Sequence, residues 1–226
     1  EGGGHRLPGH GPGPRDDPLH QPAAAVPLKF SPSGICGNRR IYSLMNAETA
    51  KGLLREYVHK DSLIKHCLAT AAILRKEAEY LGEDAEEWEV IGILHDIDYE
   101  VVDGDMQKHG AVGYQILIDH GVDEEIADTV RRHNDMLYGP SDRPVDIALQ
   151  AADNISGLLI AAAMVKQGSI SDVTEKTVKK KFKEKAFAAG CRREKVREIE
   201  PLIDEGTFYR ISIEALQGIR QDLGLT

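Results

Sequence analysis

The sequence has few of the features that mark disulfide-rich or membrane proteins. Its three cysteines, Cys36, Cys67 and Cys191, are scattered and form no CxxC pair. This excludes a disulfide scaffold and a cysteine-cage zinc site, and it indicates a reducing compartment. The longest apolar run, residues 155–165, is about half as long as a bilayer-spanning helix requires. We therefore expect a cytoplasmic protein with no membrane partner.

Aromatic residues are also scarce, and acidic residues outnumber basic ones. Aromatic residues make up only 5% of the chain, so a core has to be built from Leu, Ile, Val and Ala. The net charge of −9 argues against broad nucleic-acid binding, because phosphate contacts need a wide basic face. Residues 166–198 are the exception, with eleven Lys and Arg against five Asp and Glu. That segment is either a site for an anionic ligand or a solvated helix face.

The first 44 residues differ in composition from the rest of the chain. They are rich in Gly and Pro and have no apolar period, so we predict a disordered leader at 1–44 and one domain at 45–226. From Met45 onward apolar residues recur at helical spacing without a strand-like alternation, which predicts an all-α fold. From about residue 167 we expect a basic helical C-terminal segment. The predicted helices lie at 47–59, 61–82, 84–94, 109–120, 123–133, 145–166, 173–188, 193–200 and 207–223.

Histidine and aspartate occur at positions that apolar helices would bury. His95 ends the apolar run at 90–94 and Asp96 follows at once, while Asp153 lies inside the most apolar predicted helix. Burying a carboxylate costs several kcal/mol unless it is paired or bound to a metal. A metal centre explains these positions together, and the alternative is a set of ordinary core histidines. The candidate ligands are His66, His95, Asp96, His109, His133 and Asp153.

Four imidazoles and two carboxylates indicate the kind of metal. This set suits Fe, Mn, Co, Ni or Zn, with Mg possible. Six ligands are too many for one tetrahedral ion that keeps an open position. We therefore predict two divalent ions, with Asp96 as the bridge because His95 fixes it beside the first ion.

The order of these residues resembles a known family. The pattern H…HD…D, carried here by His66, His95-Asp96 and Asp153, is similar to the signature of the HD superfamily of metal-dependent phosphohydrolases. The resemblance covers most of residues 45–226 and implies an HD-domain helical bundle in which these residues are the core ligands. Residues 97–99, Ile-Asp-Tyr, depart from the Ile-Gly-Lys of the cyclic-dinucleotide phosphodiesterases in that superfamily.

The two other candidate ligand histidines and several segments refine the resemblance. His109 and His133 lie between the HD pair and the last aspartate, as in the binuclear subset, and by resemblance complete a second metal site. Residues 94–100, 178–185 and 214–220 are similar to an uncharacterised bacterial branch of predicted HD hydrolases.

The resemblance implies a phosphohydrolase that attacks a small phosphomonoester or nucleotide with metal-activated water. Asp96 and Asp98 are the expected catalytic residues, and for Asp98 the alternative is a solvated loop residue. The alternatives are an HD-type di-iron oxygenase and a non-catalytic regulatory module stabilised by metal. The sequence does not indicate an oligomeric state. The expected substrate contacts, each of which has a surface ion pair or structural bond as its alternative, are Lys108, Arg131, Arg132, Asn154, Lys179 and Lys180.

Overall fold

The computed structural model describes residues 45–226, and the predicted leader at 1–44 lies outside the described residues. Helices joined by turns make up this part, without a strand, which confirms the all-α fold. The eleven helices of residues 45–226 are α1 (Ala47–Tyr57), α2 (Asp61–Leu81), α3 (Ala85–Leu94), α4 (Ala111–Asp119), α5 (Glu124–Arg132), α6 (Asp135–Tyr138), α7 (Pro144–Val165), α8 (Glu175–Lys183), α9 (Arg193–Arg197), α10 (Glu205–Gly218) and α11 (Arg220–Leu223).

Several helices begin or end where the sequence supplies a capping residue. The Asp84 carboxylate accepts two backbone N–H groups at the start of α3, and Asp123 accepts one at the start of α5. Gly82 ends α2 in the left-handed region, with φ of 78°. Pro144 occupies the first residue of α7, where its missing N–H costs nothing.

Other boundaries differ from the prediction. The helix expected from residue 109 begins at Ala111, because Gly110 has φ of 85°, which is not helical. The helix expected at 173–188 ends at Lys183 and turns follow. The helix expected at 207–223 is divided at Ile219, and the short α6 was not predicted.

The centre of the domain is built on α2, which packs against α3, α7 and α10. The α2–α3 contact is very close at Gly92, where a Cβ atom would lie 2.5 Å from the Cα of Ala71. No residue with a side chain fits there without moving the helices apart. This close approach places His66 on α2 beside His95, which directly follows α3.

The apolar helix α7 runs through the core. Among the described residues it is the one helix long and apolar enough to cross a membrane by length and composition. Two thirds of its apolar window is nevertheless buried inside the protein, and Leu149, Ile155 and Leu158 are fully inaccessible. It is packed as a core helix, and it presents Asp153 to the site described next.

Candidate metal centre

One group of donor atoms joins α2, the end of α3 and α7. His66 Nε2 lies 3.3 Å from His95 Nε2 and 3.6 Å from Asp96 Oδ2. Asp153 Oδ1 lies 3.0 Å from His66 Nε2 and 3.8 Å from His95 Nε2. Four donors from three helical segments therefore surround one point.

A second group shares Asp96. Its other oxygen, Oδ1, lies 3.3 Å from both His109 Nε2 and His133 Nε2, and these two nitrogens are 3.0 Å apart. The two oxygens of Asp96 thus face different groups, which is the geometry of a bridging carboxylate. The structure brings all six predicted ligands together.

Each imidazole is held from behind through Nδ1. The Nδ1 atoms of His95 and His133 lie 2.8 Å and 2.7 Å from backbone carbonyl oxygens. The Nδ1 of His66 lies 3.2 Å from the Ser156 hydroxyl, which itself donates to the Asp153 carbonyl and so accepts from the ring. His109 Nδ1 lies 2.8 Å from a carboxylate oxygen of Asp98. Because Nδ1 donates in all four rings, each Nε2 lone pair is directed at the cluster.

The donor spacing matches what a first-row transition ion requires. Ligands about 2.1 Å from an ion at cis or tetrahedral angles are about 3.0 to 3.4 Å apart, and most of the distances above lie in or near that interval. Unprotonated Nε2 atoms this close repel one another unless a cation or proton lies between them. The residues present therefore fit divalent metal ions.

Protons are the competitors of metal in this cluster. Burial lowers the pKa of His66, but the hydrogen bond and charge of Asp153 outweigh it and raise that pKa to about 9. Burial acts in the same direction on His109, and Asp96 and Asp98 raise its pKa to about 9. Burial raises the pKa of Asp96, yet the neighbouring imidazoles, led by His95, bring it well below its ordinary value. The cluster therefore attracts positive charge.

The centre is open to solvent on one side only. His95 is fully buried, whereas the side chains of His66 and Asp153 are 24% and 25% exposed. They face a cavity of about 700 Å³, whose floor also includes Asp96. A small molecule can thus reach the donor atoms.

The family comparison bears on the same residues. The family model described as HD domain matches residues 63–158, a range that begins before His66 and ends after Asp153. Residues 63–158 thus form an HD domain. HD domains belong to a superfamily of metal-dependent hydrolases, in agreement with the resemblance found in the sequence. No curated protein and no solved structure matched the chain in the other two comparisons.

Asp98 has a different place in the HD domain from the one expected of a catalytic acid or base. It is fully buried and does not line the cavity. One oxygen binds His109 Nδ1, and the other accepts the backbone N–H groups of Gly110 and Gly113, both at 2.8 Å. We therefore revise its role: Asp98 positions His109, because its acceptor sites are already used within the protein.

Lys108 and Arg132 do not line the cavity over the centre. Lys108 lies on the surface and pairs with Asp105 at 3.0 Å. Arg132 pairs with Asp146 at 3.3 Å. Each directly precedes a predicted ligand in sequence, but its side chain pairs with an aspartate outside the cluster.

The other predicted basic contacts also lie elsewhere. Arg131 pairs with Asp128, Lys179 lies 3.6 Å from Glu205, and Lys180 is exposed on α8. Arg131, Lys179 and Lys180 are absent from the cavity lining. The basic run on α8 lies on a solvated helix face. This is the second of the two interpretations that the sequence left open, the first being a site for an anionic ligand.

Asn154 does line the cavity, but its polar atoms are engaged. Its Nδ2 donates to the Gln150 carbonyl at 2.9 Å and reaches Asp153 Oδ2 at 3.4 Å. Its Oδ1 accepts the backbone N–H of Arg192 at 2.9 Å. Asn154 thus ties the C-terminal segment to α7 beside Asp153.

Two polar side chains with a place in the site, Arg192 and Asn134, were not predicted from the sequence. Arg192 reaches the cavity, with its guanidinium 2.8 Å from Asp135. Asn134 donates from Nδ2 to the carbonyls of Met106 and His109, and its buried Oδ1 has no partner within residues 45–226. The position of Asn134 directly after His133 was an available signal. Only the fold brings Arg192, far along the chain, to the site.

Proposed function

We propose that this protein is a metal-dependent phosphohydrolase acting on a small phosphorylated molecule in the cytoplasm. The observation that carries the proposal is the convergence of four imidazole Nε2 atoms and two carboxylates at a cavity that all of these residues except the buried His95 line. The HD domain supports it, because the superfamily consists of metal-dependent hydrolases. The free thiols of Cys67 and Cys191 fit the reducing compartment of the cytoplasm.

The ligands divide into two sets that share Asp96. We assign Asp96 Oδ2 to the first set and Asp96 Oδ1 to the second. Each remaining ligand belongs to the set whose donor atoms lie nearest to it. When bound, divalent ions there would supply Lewis-acid stabilisation for phosphoryl oxygens and a nucleophilic water at neutral pH. The first set is His66, His95, Asp96 and Asp153; the second is Asp96, His109 and His133.

The residues of the chain orient this chemistry. The outward hydrogen bonds of the four rings fix their Nε2 atoms before substrate arrives, so little reorganisation is needed. Asn134 donates from Nδ2 to the His109 carbonyl at 2.9 Å and so holds the backbone of that ligand in place. In the overall reaction a water oxygen bonds to phosphorus, the bond from phosphorus to the alcohol oxygen breaks, and the alcohol leaves with a proton.

The test is metal analysis followed by an activity screen of the full chain. We expect up to two ions per chain and hydrolysis of p-nitrophenyl phosphate after reloading with Mn, Fe, Co, Ni or Zn. His133→Ala should abolish this activity. The control, His59→Ala, removes an exposed histidine outside the cluster and should leave activity unchanged.

The same screen separates the alternatives. The three-donor second set leaves coordination positions open, which would also suit dioxygen on a di-iron centre. Dioxygen consumption without phosphate release from any phosphoester would identify an oxygenase. Bound metal with neither activity would identify a regulatory module, and either result overturns the proposal.

A further inference from the structure

The cavity over the centre has apolar walls. Gly157 and Ala161 of α7 line it, and so does the segment 188–191, with the sequence Ala-Ala-Gly-Cys. Most of the lining surface is apolar. Its volume of about 700 Å³ is within the range of pockets that hold organic ligands of drug size. A phosphate at the metals would leave most of the cavity to be filled by another group.

The rim of the cavity is apolar as well. Met136 and Tyr99 line it, although their side chains are 66% and 38% exposed. Leu137, next to Met136, is also exposed. Large apolar side chains at a cavity mouth gain favourable burial only when an apolar ligand covers them.

Positive charge in the cavity is limited to one side chain. Arg192 is the sole Lys or Arg among the described lining residues, and its charge is already shared with Asp135 at 2.8 Å. Its other hydrogen bond goes to Gln150 Oε1 at 2.9 Å. A second or third phosphate group extending from the metals would find no free cation.

Unused hydrogen-bonding groups are equally few. Asn154 is saturated, Asn134 Oδ1 is a buried acceptor without a partner, and the Tyr99 hydroxyl lies at the exposed rim. A nucleobase, with several donors and acceptors on its edge, would find few matching side chains there to replace its bonds to water. The lining thus disfavours nucleotides as well as polyphosphates.

We propose that the substrate is the phosphate monoester of an apolar alcohol, with its single phosphoryl group at the metals and its hydrocarbon part against the cavity surface that α7 and residues 188–191 line. This inference rests on the proposed function and specifies its substrate class. The segment 188–191 lies outside the HD match at 63–158, so this selectivity would come from the C-terminal part of the chain.

Binding of phosphonates, which cannot be hydrolysed, tests the inference independently of catalysis. Isothermal titration calorimetry on the metal-loaded full chain should show benzylphosphonate binding at least about tenfold more tightly than methylphosphonate, since the ring buries apolar surface. Equal affinities, or no binding of either compound, would overturn the inference.

Gly157→Leu is the variant that locates the binding. A Cβ at Gly157 meets no atom within 4 Å, and leucine favours helix more than glycine, so the variant should fold. It should lower the affinity for benzylphosphonate at least about tenfold and change the affinity for methylphosphonate by no more than about twofold. Gly52→Leu, at an equally open glycine of α1 away from the cavity, is the matched control and should change neither affinity. If Gly157→Leu leaves benzylphosphonate affinity intact, the apolar group binds elsewhere and the inference fails.

Hydrolysis of benzyl phosphate and AMP completes the test, because both release a primary alcohol. We expect kcat/KM to favour benzyl phosphate, and a preference for AMP overturns the inference while the proposed function stands. If neither ester is hydrolysed but the phosphonate preference is found, the proposed function fails and the apolar site stands.

Discussion

Asp96 is the residue on which both sets of ligands depend. Its oxygens face separate groups of histidines at 3.3 to 3.6 Å. We therefore expect Asp96→Ala to remove metal from both sets, whereas His133→Ala removes a donor from only one. Elemental analysis of the purified variants gives the metal content per chain. An Asp96→Ala variant that keeps two ions would show that the carboxylate does not bridge.

Asp98 affects the metal only through His109. In Asp98→Asn the amide oxygen can still accept from Gly110 and Gly113, but the NH₂ group then faces His109 Nδ1. That ring must move its proton to Nε2, which can no longer bind metal, so we expect metal affinity of the second set to fall about 10- to 100-fold. Titration against a chelator measures the affinity, and the exposed Asp103→Asn is the control. Unchanged affinity would exclude this positioning role.

Glu77 is a carboxyl group buried without compensation. It is inaccessible to solvent, both oxygens lack partners within residues 45–226, and burial raises its pKa well above the ordinary value. Glu77→Met, similar in shape, should raise the free energy of unfolding at pH 7 by about 1–3 kcal/mol. Urea denaturation measures this change. A destabilised variant would mean that Glu77 has a polar partner in solution.

The sequence was informative about ligands for a physical reason. A histidine or aspartate within an apolar run, such as Asp153, costs free energy that a metal can offset, so its presence calls for an explanation. The expected cationic contacts had no such basis, since lysine on a helix surface costs nothing. Arg192 could not be predicted, because only the packing of its segment on α7 brings it to the cavity.

At the level of secondary structure, the contact between α2 and α3 determines whether the first set can form. A methyl group at Gly92 would overlap the backbone of Ala71, so Gly92→Ala should force the helices apart. We expect the free energy of unfolding to fall by about 1–3 kcal/mol. We also expect the first set to lose its metal. Thermal denaturation and metal analysis provide the measurements. Gly52→Ala on α1, where space is open, should be neutral or stabilising, and equal behaviour of the two variants would contradict the argument.

Helix positions followed from local signals more reliably than helix ends did. Asp84, Asp123 and Pro144 mark starts because they satisfy or avoid terminal N–H groups within a few residues. Gly218 was an available signal for the division of the last predicted helix at Ile219, whereas the early end of α8 has no such local signal. That end depends on tertiary packing, which apolar spacing does not report.

The whole domain should respond to pH in opposite ways with and without metal. In the metal-free protein the pKa values of His66 and His109 are raised to about 9 from an unfolded value near 6.5, so the folded state holds extra protons between these pH values. Its stability is therefore fully present below about pH 6.5 and falls by several kcal/mol as pH rises to 9, since each pKa unit corresponds to about 1.4 kcal/mol for each histidine.

Urea denaturation of the chelator-treated chain at pH 6.5 and 9 measures this effect. Carrying it out in the Glu77→Met background removes the contribution of that carboxyl group. With metal bound, protons compete for the same nitrogens, so stability should instead rise with pH over the lower part of this interval. Stability of the metal-free chain that is constant or rises up to pH 9 would refute the assignment.

The ligands of the centre come from distant parts of the chain, from His66 on α2 to Asp153 on α7. Ions held there would act as cross-links that close long loops in a domain whose described cysteines are free thiols. Because such a site exists only in the folded chain, bound ions would stabilise that state by mass action and link the lifetime of the protein to the supply of metal. A cell short of that metal would lose the protein itself to proteolysis, and with it any activity, rather than accumulate an intact inactive form.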